Sequence, residues 1–378
     1  MMGRFYARFG LTGIGYTVLL GAIAWLTVPS LAWAKASDPA QDLDRSPRLA
    51  GQRGLDYLIE SAETWQNGRR CYGCHVQGVA TMGAAVSHRN EFKVGWDRAD
   101  KLSSPMVRWV RNGGEGPIGH RFAGLFQAGV AFGFHHRYVD VKYLEDLRAA
   151  AAKIARFQES DGSFQEGRIE PPIDQGRIKA TASSLISMIE ADQLERAPRF
   201  ANEVDRALRW LKTAIPSTTQ DLAYKIIGLA WRREESPPSE VRQAADELMN
   251  RQKEDGGWGE DPELLSNAYA TGLALFALRQ SGVSIQDPHL VKATLFLIKT
   301  QNSDGSWDLV NSRSRRPSRF ASTMHAVVGL GGVFNPKAEE EFLSLFRGRK
   351  KSRIGPISIA LYLAFPIAVI GLLRRLYR

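Results

Sequence analysis

The sequence predicts an all-α domain of six helical hairpins, each an outer helix followed by an inner one, and three features carry that expectation. No stretch alternates apolar and polar residues for long enough to make a strand, whereas apolar residues recur at helical spacing almost throughout. Amphipathic segments take turns with segments that are apolar on most faces and rich in small residues. A short motif returns where three of the amphipathic segments end.

In chain order the amphipathic segments are Leu49 to Trp65, Ala99 to Val110, Val141 to Phe157, Phe200 to Leu211, Ser239 to Met249 and Pro288 to Ile298. A helix with a polar stripe has water along one side, so these are the outer helices. The apolar segments between them are Cys71 to Val86, His120 to Phe134, Ile178 to Ile189, Thr219 to Trp231, Leu264 to Leu278 and Phe320 to Val333. A helix without a polar face must be wedged between others, which makes these the inner helices.

The recurring motif reads Gln158-Glu-Ser-Asp161-Gly162-Ser163-Phe164, then Gln252-Lys-Glu-Asp255-Gly256-Gly257-Trp258, then Gln301-Asn-Ser-Asp304-Gly305-Ser306-Trp307. Asp-Gly supplies a left-handed turn that stops a helix, and the aromatic two residues on is expected to cover the exposed end. Asp255 and Asp304 are 49 residues apart, and Asp161 and Asp255 are 94 apart, about two such units. Leu208-Arg-Trp-Leu-Lys-Thr213 matches Leu295-Phe-Leu-Ile-Lys-Thr300, so a copy whose turn has degenerated to Ile215-Pro216 lies between. Repeats of this length are stacked hairpins, which either close into a ring or run on as an open superhelix.

These Gln-x-x-Asp-Gly-x-aromatic joints resemble the repeats of the squalene–hopene cyclase and protein prenyltransferase family. The resemblance spans about Leu49 to Val333, is strongest at the joints of Asp255 and Asp304, and fades in the first two hairpins. It implies an α6/α6 toroid, two concentric helix rings closed by six hairpins. Members of the family hold isoprenoid chains in the central cavity or at the end of the ring. The residues of their chemistry are missing here. The chain has no Asp-x-Asp-Asp cluster such as the alkene-protonating cyclases use, and no Cys-Gly-Glu-Gln stretch of the related thioester domains. The zinc set of the prenyltransferases includes a cysteine, and the only two cysteines belong to another motif. The resemblance therefore implies a scaffold without its ancestral catalysis. Glu190 and Asp192, the nearest thing to paired acids, read as a solvated helix end.

That other motif is Cys71-Tyr72-Gly73-Cys74-His75, the CxxCH of c-type haem attachment. On a helix, Cys74 and His75 fall three and four residues after Cys71, so two thiols and an imidazole share one face. Two thiols can then bond two vinyl groups while the imidazole coordinates iron. A redox pair, a structural disulfide and half of a zinc site are the competing readings. Zinc would need a second ligand pair, and no second CxxC or HxxxH exists. One covalent haem c is therefore expected, with His75 as iron ligand.

Parallel inner helices would bring their N-termini to one face, and this ranks the candidates for a second axial ligand. His120 opens the second inner segment and comes first, followed by His325 and then Met324, about one turn into the sixth. His88, His135 and His136 fall at the far ends of their segments. Arg69 and Arg70 are placed to pair with haem propionates, or simply face solvent, and Tyr72 and Trp65 to shield a haem edge or fill the core.

The formal charge of +10 suggests a nucleic-acid partner until it is located. Arg4, Arg8, Arg347, Arg349, Lys350, Lys351, Arg353, Arg374, Arg375 and Arg378 flank two apolar runs, and they account for the whole excess of basic over acidic residues, 50 against 40. The body is neutral, and no nucleic-acid partner is expected. Residues 1–34 read as a signal peptide ending in Ala32-Trp33-Ala34, or as an uncleaved N-terminal anchor. Residues 35–47 form a linker, 48–335 the toroid, and 336–353 a basic linker. Residues 354–373 form a transmembrane helix, with a buried tail helix as the competing reading, and 374–378 a basic tail. Five basic residues between Arg347 and Arg353 would then lie outside the membrane, against the positive-inside tendency.

Together these features lead to an expectation of a monohaem c-type cytochrome, anchored at its C-terminus in the cytoplasmic membrane with its main domain in the periplasm. Its partners would be redox proteins, membrane lipid, and an isoprenoid or quinone ligand. A haem-dependent or cyclase-like enzyme acting on such a lipid, and a docking subunit of a membrane redox complex, are the alternatives.

Overall fold

The computed structural model describes residues 46–68, 74–113, 118–165, 176–232, 237–309 and 319–347, with the backbone alone for 74, 75, 118–123 and 347. The outer helices are α1 (Pro47–Gly68), α3 (Trp96–Arg111), α5 (Leu144–Ala155), α7 (Ala201–Thr213), α9 (Ser239–Asn250) and α11 (Pro288–Thr300). The inner helices are α2 (Val79–Arg89), α4 (Ile118–Tyr138), α6 (Gly176–Ala191), α8 (Thr219–Ala230), α10 (Ala268–Gln280) and α12 (Arg319–Val333). A last helix, α13 (Pro336–Arg347), follows. Among the described residues there is no strand, only an isolated bridge between Trp258 and Asn267.

Each inner helix packs on the next, and α12 packs on α2, so the inner ring is closed and the open superhelix is excluded. Most residues of α8, α10 and α12 are buried whatever direction they point, the consequence of being enclosed on every side. The tightest crossing is between α10 and α12. There a Cβ on Gly272 would fall 2.2 Å from the carbonyl oxygen of His325, and one on Gly329 would fall 2.7 Å from that of Gly272. The two backbones are in contact, with no side chain between them.

The three joints explain the ring. In each, the Asp carboxylate accepts the backbone N–H two residues on, from Ser163, Gly257 and Ser306 at 3.0 Å. The glycine adopts φ of +93°, +88° or +89°. The Gln amide donates once within its own turn and once to a carbonyl at the start of an outer helix, Glu203, His289 or Ala50, at 2.7 to 2.8 Å. The third of these acceptors lies in α1, so the last joint ties the end of the ring to its beginning. Arg206 of α7 and Arg53 of α1 return the contact by donating to carbonyls of the joint that docks on them.

The aromatic residues of the joints do not cover a helix end, as the sequence suggested. Phe164, Trp258 and Trp307 are completely buried, and their backbone N–H groups donate to Thr181, Thr271 and Thr323 of the following inner helix at 3.0 Å. The two indoles also donate to Leu248 and Leu297 carbonyls of the preceding outer helix. They are anchors that pin an outer helix to an inner one. At the degenerate joint, buried Lys225 does this work, donating to the carbonyls of Lys212 and Ala214 at 3.0 and 2.7 Å.

Several expected boundaries differ by a few residues, and two of the differences have a visible cause. The fifth inner helix starts at Ala268 rather than Leu264, because Asn267 caps it by accepting from the N–H of Ala270 at 2.9 Å. Residues 336–347, expected as part of a basic linker, are helical, with Glu339 accepting from the N–H of Arg48 and Phe342 packed edge-on to Phe334. The apolar runs expected as signal and transmembrane segments lie outside the described residues. Among the described residues no helix is long and apolar enough to cross a membrane.

Gly305 and Gly282 share a positive φ, but only Gly305 is crowded, since a Cβ there would lie 2.5 Å from the Arg53 carbonyl oxygen and one on Gly282 meets nothing. Gly305→Ala is expected to destabilise the fold by about 2–4 kcal/mol and Gly282→Ala by about 1–2 kcal/mol. Denaturant melts of the two variants check the difference.

Candidate functional site

The inner helices run parallel and present two faces that differ in kind. At the face where they begin, a π-helical turn spans Cys74–Gly78 and leads straight into α2. Such turns widen the helix by one residue and gather at functional positions. Cys74 and His75 thus lie on helical backbone where the first inner helix begins. Cys71, Tyr72, Arg69 and Arg70 lie outside the described residues. Two residues after His75, Gln77 is fully buried, and among the described residues its Oε1 meets no hydrogen-bond donor.

Below this mouth the ring axis is nearly closed. Val79 and Met82 of α2, Gln127 of α4, Lys179 of α6, Tyr224 of α8 and His325 of α12 surround a void of about 20 Å3. These residues come from corresponding levels of their helices, which is what a parallel ring produces. The void is far below the roughly 300 Å3 at which small-molecule pockets begin, so a porphyrin cannot enter the axis and would have to lie on the rim.

That condition sorts the candidate ligands. His120 is the third residue of α4, at rim level. Met324 and His325 are the sixth and seventh residues of α12, about 4.5–6 Å deeper than that by helix rise. Both are buried, His325 at 5% exposure. The Nδ1–H of His325 donates to the Ala321 carbonyl at 2.9 Å, which leaves the lone pair on Nε2, and the ring packs on Tyr269 with centroids 4.3 Å apart. Burial, with Lys179 nearby adding to it, lowers its pKa to about 3. Burial therefore favours a neutral imidazole inside the wall. Among the described residues no group of three His, Cys, Asp or Glu converges as a metal site. Trp65 lies against an open groove with Tyr57 and Phe320, in the second half of α1.

The opposite face, where the inner helices end, is a cup of about 470 Å3. His88, His135 and His136 do fall at this far side, in the last turns of α2 and α4. His135 is buried against Trp96 and Tyr143, and burial lowers its pKa. Glu190 is not solvated, contrary to the sequence reading. It is 2% exposed, and its carboxylate accepts from Trp231 Nε1 at 2.8 Å and meets Arg137 Nε and His136 Nδ1 at 2.9 Å each. Arg137 in turn donates to the Trp231 carbonyl at 2.7 Å and lies 4.1 Å over its ring. Asp192 accepts from the Phe200 N–H at 2.8 Å, holding the turn into α7. Sequence reasoning missed Glu190 because its partners lie 41 to 54 residues away. Lys179 gave a usable signal, as a charge in an otherwise apolar inner segment.

Residues 210–300, from the end of α7 through α11, match the model of the squalene–hopene cyclase N-terminal domain. That part of the ring is cyclase-like in sequence. The squalene–hopene cyclase of Bradyrhizobium diazoefficiens is 38% identical over 79 residues, covering 18% of this chain and 12% of the cyclase. Among solved structures, a protein from Actinoplanes is 15% identical with a TM-score of 0.49, covering 80% of this chain and 100% of that one. A type II terpene cyclase from Scytonema is 13% identical with a TM-score of 0.45, covering 77% and 98%.

Two outcomes follow. Glu190→Gln removes the charge that His136 and Arg137 surround and is expected to cost about 2–4 kcal/mol in a denaturant melt. His325 in the unfolded chain takes up a proton near pH 6.5, while in the fold it stays neutral down to about pH 3. The unfolded state therefore binds more protons between those values, so stability falls as pH drops through that window, by on the order of a few kcal/mol in total. His325→Asn is expected to flatten the acid limb of a plot of melting temperature against pH.

Proposed function

We propose that this chain is a membrane-anchored, periplasm-facing monohaem c-type cytochrome that passes single electrons and uses a cyclase-like helical ring as a rigid holder. The observation that carries the reading is the position of CxxCH. Cys74 and His75 stand on a π-helical turn at the open mouth of a ring whose axis is closed just beneath. The donor set fits the group: Cys71 and Cys74 would hold it through thioether bonds and His75 would ligate the iron. A haem supplies one-electron chemistry when bound. The packing of the inner helices beneath would keep such a group out of the axis. His120 is the second ligand best matched to rim level, with His325 and Met324 as the deeper alternatives. Arg69 and Arg70 would answer the propionates.

A second reading, a haem-dependent enzyme acting on an isoprenoid or quinone-type lipid, draws on the cyclase-like stretch and on the cup at the far face. Reduction of the haem by a quinol in detergent would favour it.

Expression in a host competent for cytochrome c maturation tests the main reading. The expected result is a pyridine haemochrome spectrum of one c-type haem that resists acid–acetone extraction, with covalent attachment lost in Cys71→Ser/Cys74→Ser. Correctly exported, folded protein without covalent haem overturns it.

A further inference from the structure

The cup at the far face is a site that the haem reading leaves unused, and it stands whether or not a haem occupies the other rim. Its volume of about 470 Å3 lies in the range of small-molecule pockets. Its lining is mixed, with an apolar patch of Phe276, Leu229 and Val333 beside polar side chains such as Asn90 and Gln280, and it includes no carboxylate. Two guanidinium groups, Arg89 at the end of α2 and Arg279 at the end of α10, line it as well.

Arginines in the last turn of a helix commonly serve the carbonyls left free there. Here those carbonyls are largely taken. At the end of α2, those of Ser87 and His88 accept from the N–H groups of Asn90 and Glu91. The Gly331 carbonyl of α12 accepts from the Asn90 amide, and the Phe334 carbonyl just beyond it from Arg48. At α10, the N–H of Val283 reaches the Leu278 carbonyl. Arg279 donates to the Val283 carbonyl at 2.5 Å, and Arg89 lies 5.5 Å over the Tyr138 ring. Among the described residues neither makes an ion pair. Burial lowers the pKa of Arg279, with Glu341 of α13 the acid that opposes this, and a guanidinium keeps its charge regardless. Most of their donors thus remain available beside the apolar patch of Phe276, Leu229 and Val333.

We infer that the cup binds a single-chain amphiphile with an anionic head, a carboxylate or a phosphate, the head paired to Arg89 and Arg279 and the chain laid against Phe276, Leu229 and Val333. Bidentate pairing of planar guanidinium to such oxyanions supplies the recognition, and the patch of Phe276, Leu229 and Val333 supplies the preference for a tail.

Photolabelling of the full-length protein in phosphatidylcholine nanodiscs tests this, with a diazirine-bearing twelve-carbon fatty acid as probe and its methyl ester as control. Peptide mapping is expected to place the label on the α10 and α12 residues of the cup. Labelling should fall at least about tenfold for the ester and for Arg89→Gln/Arg279→Gln, and survive in Arg279→Lys. Ala230→Trp fills the cup with both arginines intact and should abolish it. Excess dodecyl phosphate should compete, and equimolar inorganic phosphate should not. Equal labelling by the ester, labelling that persists in the double variant or in Ala230→Trp, or competition by inorganic phosphate alone overturns the inference. If the double variant melts early, the Ala230→Trp and Arg279→Lys pair decides.

Discussion

The glycine of the last joint lies against the Arg53 carbonyl, and the Gln301 amide beside it reaches the Ala50 carbonyl, 251 residues back along the chain. The other two joints make the same contact with the outer helix that follows them in sequence; only this one makes it with the first. Closing so long a loop costs conformational entropy that no single hydrogen bond repays. It is met instead by the whole interface of α12 with α1 and α2, and the joint fixes the register in which those surfaces meet. Without closure α2 would lack one of its neighbours, and a helix that is apolar on most faces would be left open to water.

Closure also gives the molecule two unlike ends. Because every inner helix enters from one side, the starts of six helices gather on one face and their ends on the other. On the first, bulky and polar side chains from five helices meet at the axis and leave room for a water molecule at most. On the second, the ends of the inner helices leave a cup between them. Cys74 and His75 lie on the first face and the arginine-lined cavity on the second, so two ligands of different kinds would be kept apart by the packed middle of the ring.

Much of this was legible in the sequence. The alternation of amphipathic and apolar segments is a direct imprint of having water on one side or none, and the Asp-Gly pairs announce their turns because little else tolerates a left-handed residue there. The burial of Trp258 and Trp307 was not legible, since an aromatic after a turn looks the same whether it covers a helix end or threads beneath it. Neither was the burial of Glu190, whose stabilising partners come from two other inner hairpins. Ring closure itself could be taken only from a resemblance, because a contact between residues 50 and 301 leaves no periodic trace. Of the haem motif, the helical backbone at Cys74 and His75 agrees with the spacing. The helix α13 was hidden by the basic run that follows it, though the acidic residues at 339–341 were a usable sign.

The contact between Gly272 and the helix crossing it has a consequence for any redox work done on the rim. Two main chains that touch without intervening rotamers have no soft coordinate along which to slide, and the same holds at Gly329 on the other strand of that crossing. A wall of this kind would change shape very little when a charge on its edge changes. The nuclear rearrangement accompanying electron transfer would then fall mainly on solvent and on the partner, which favours fast exchange at small driving force.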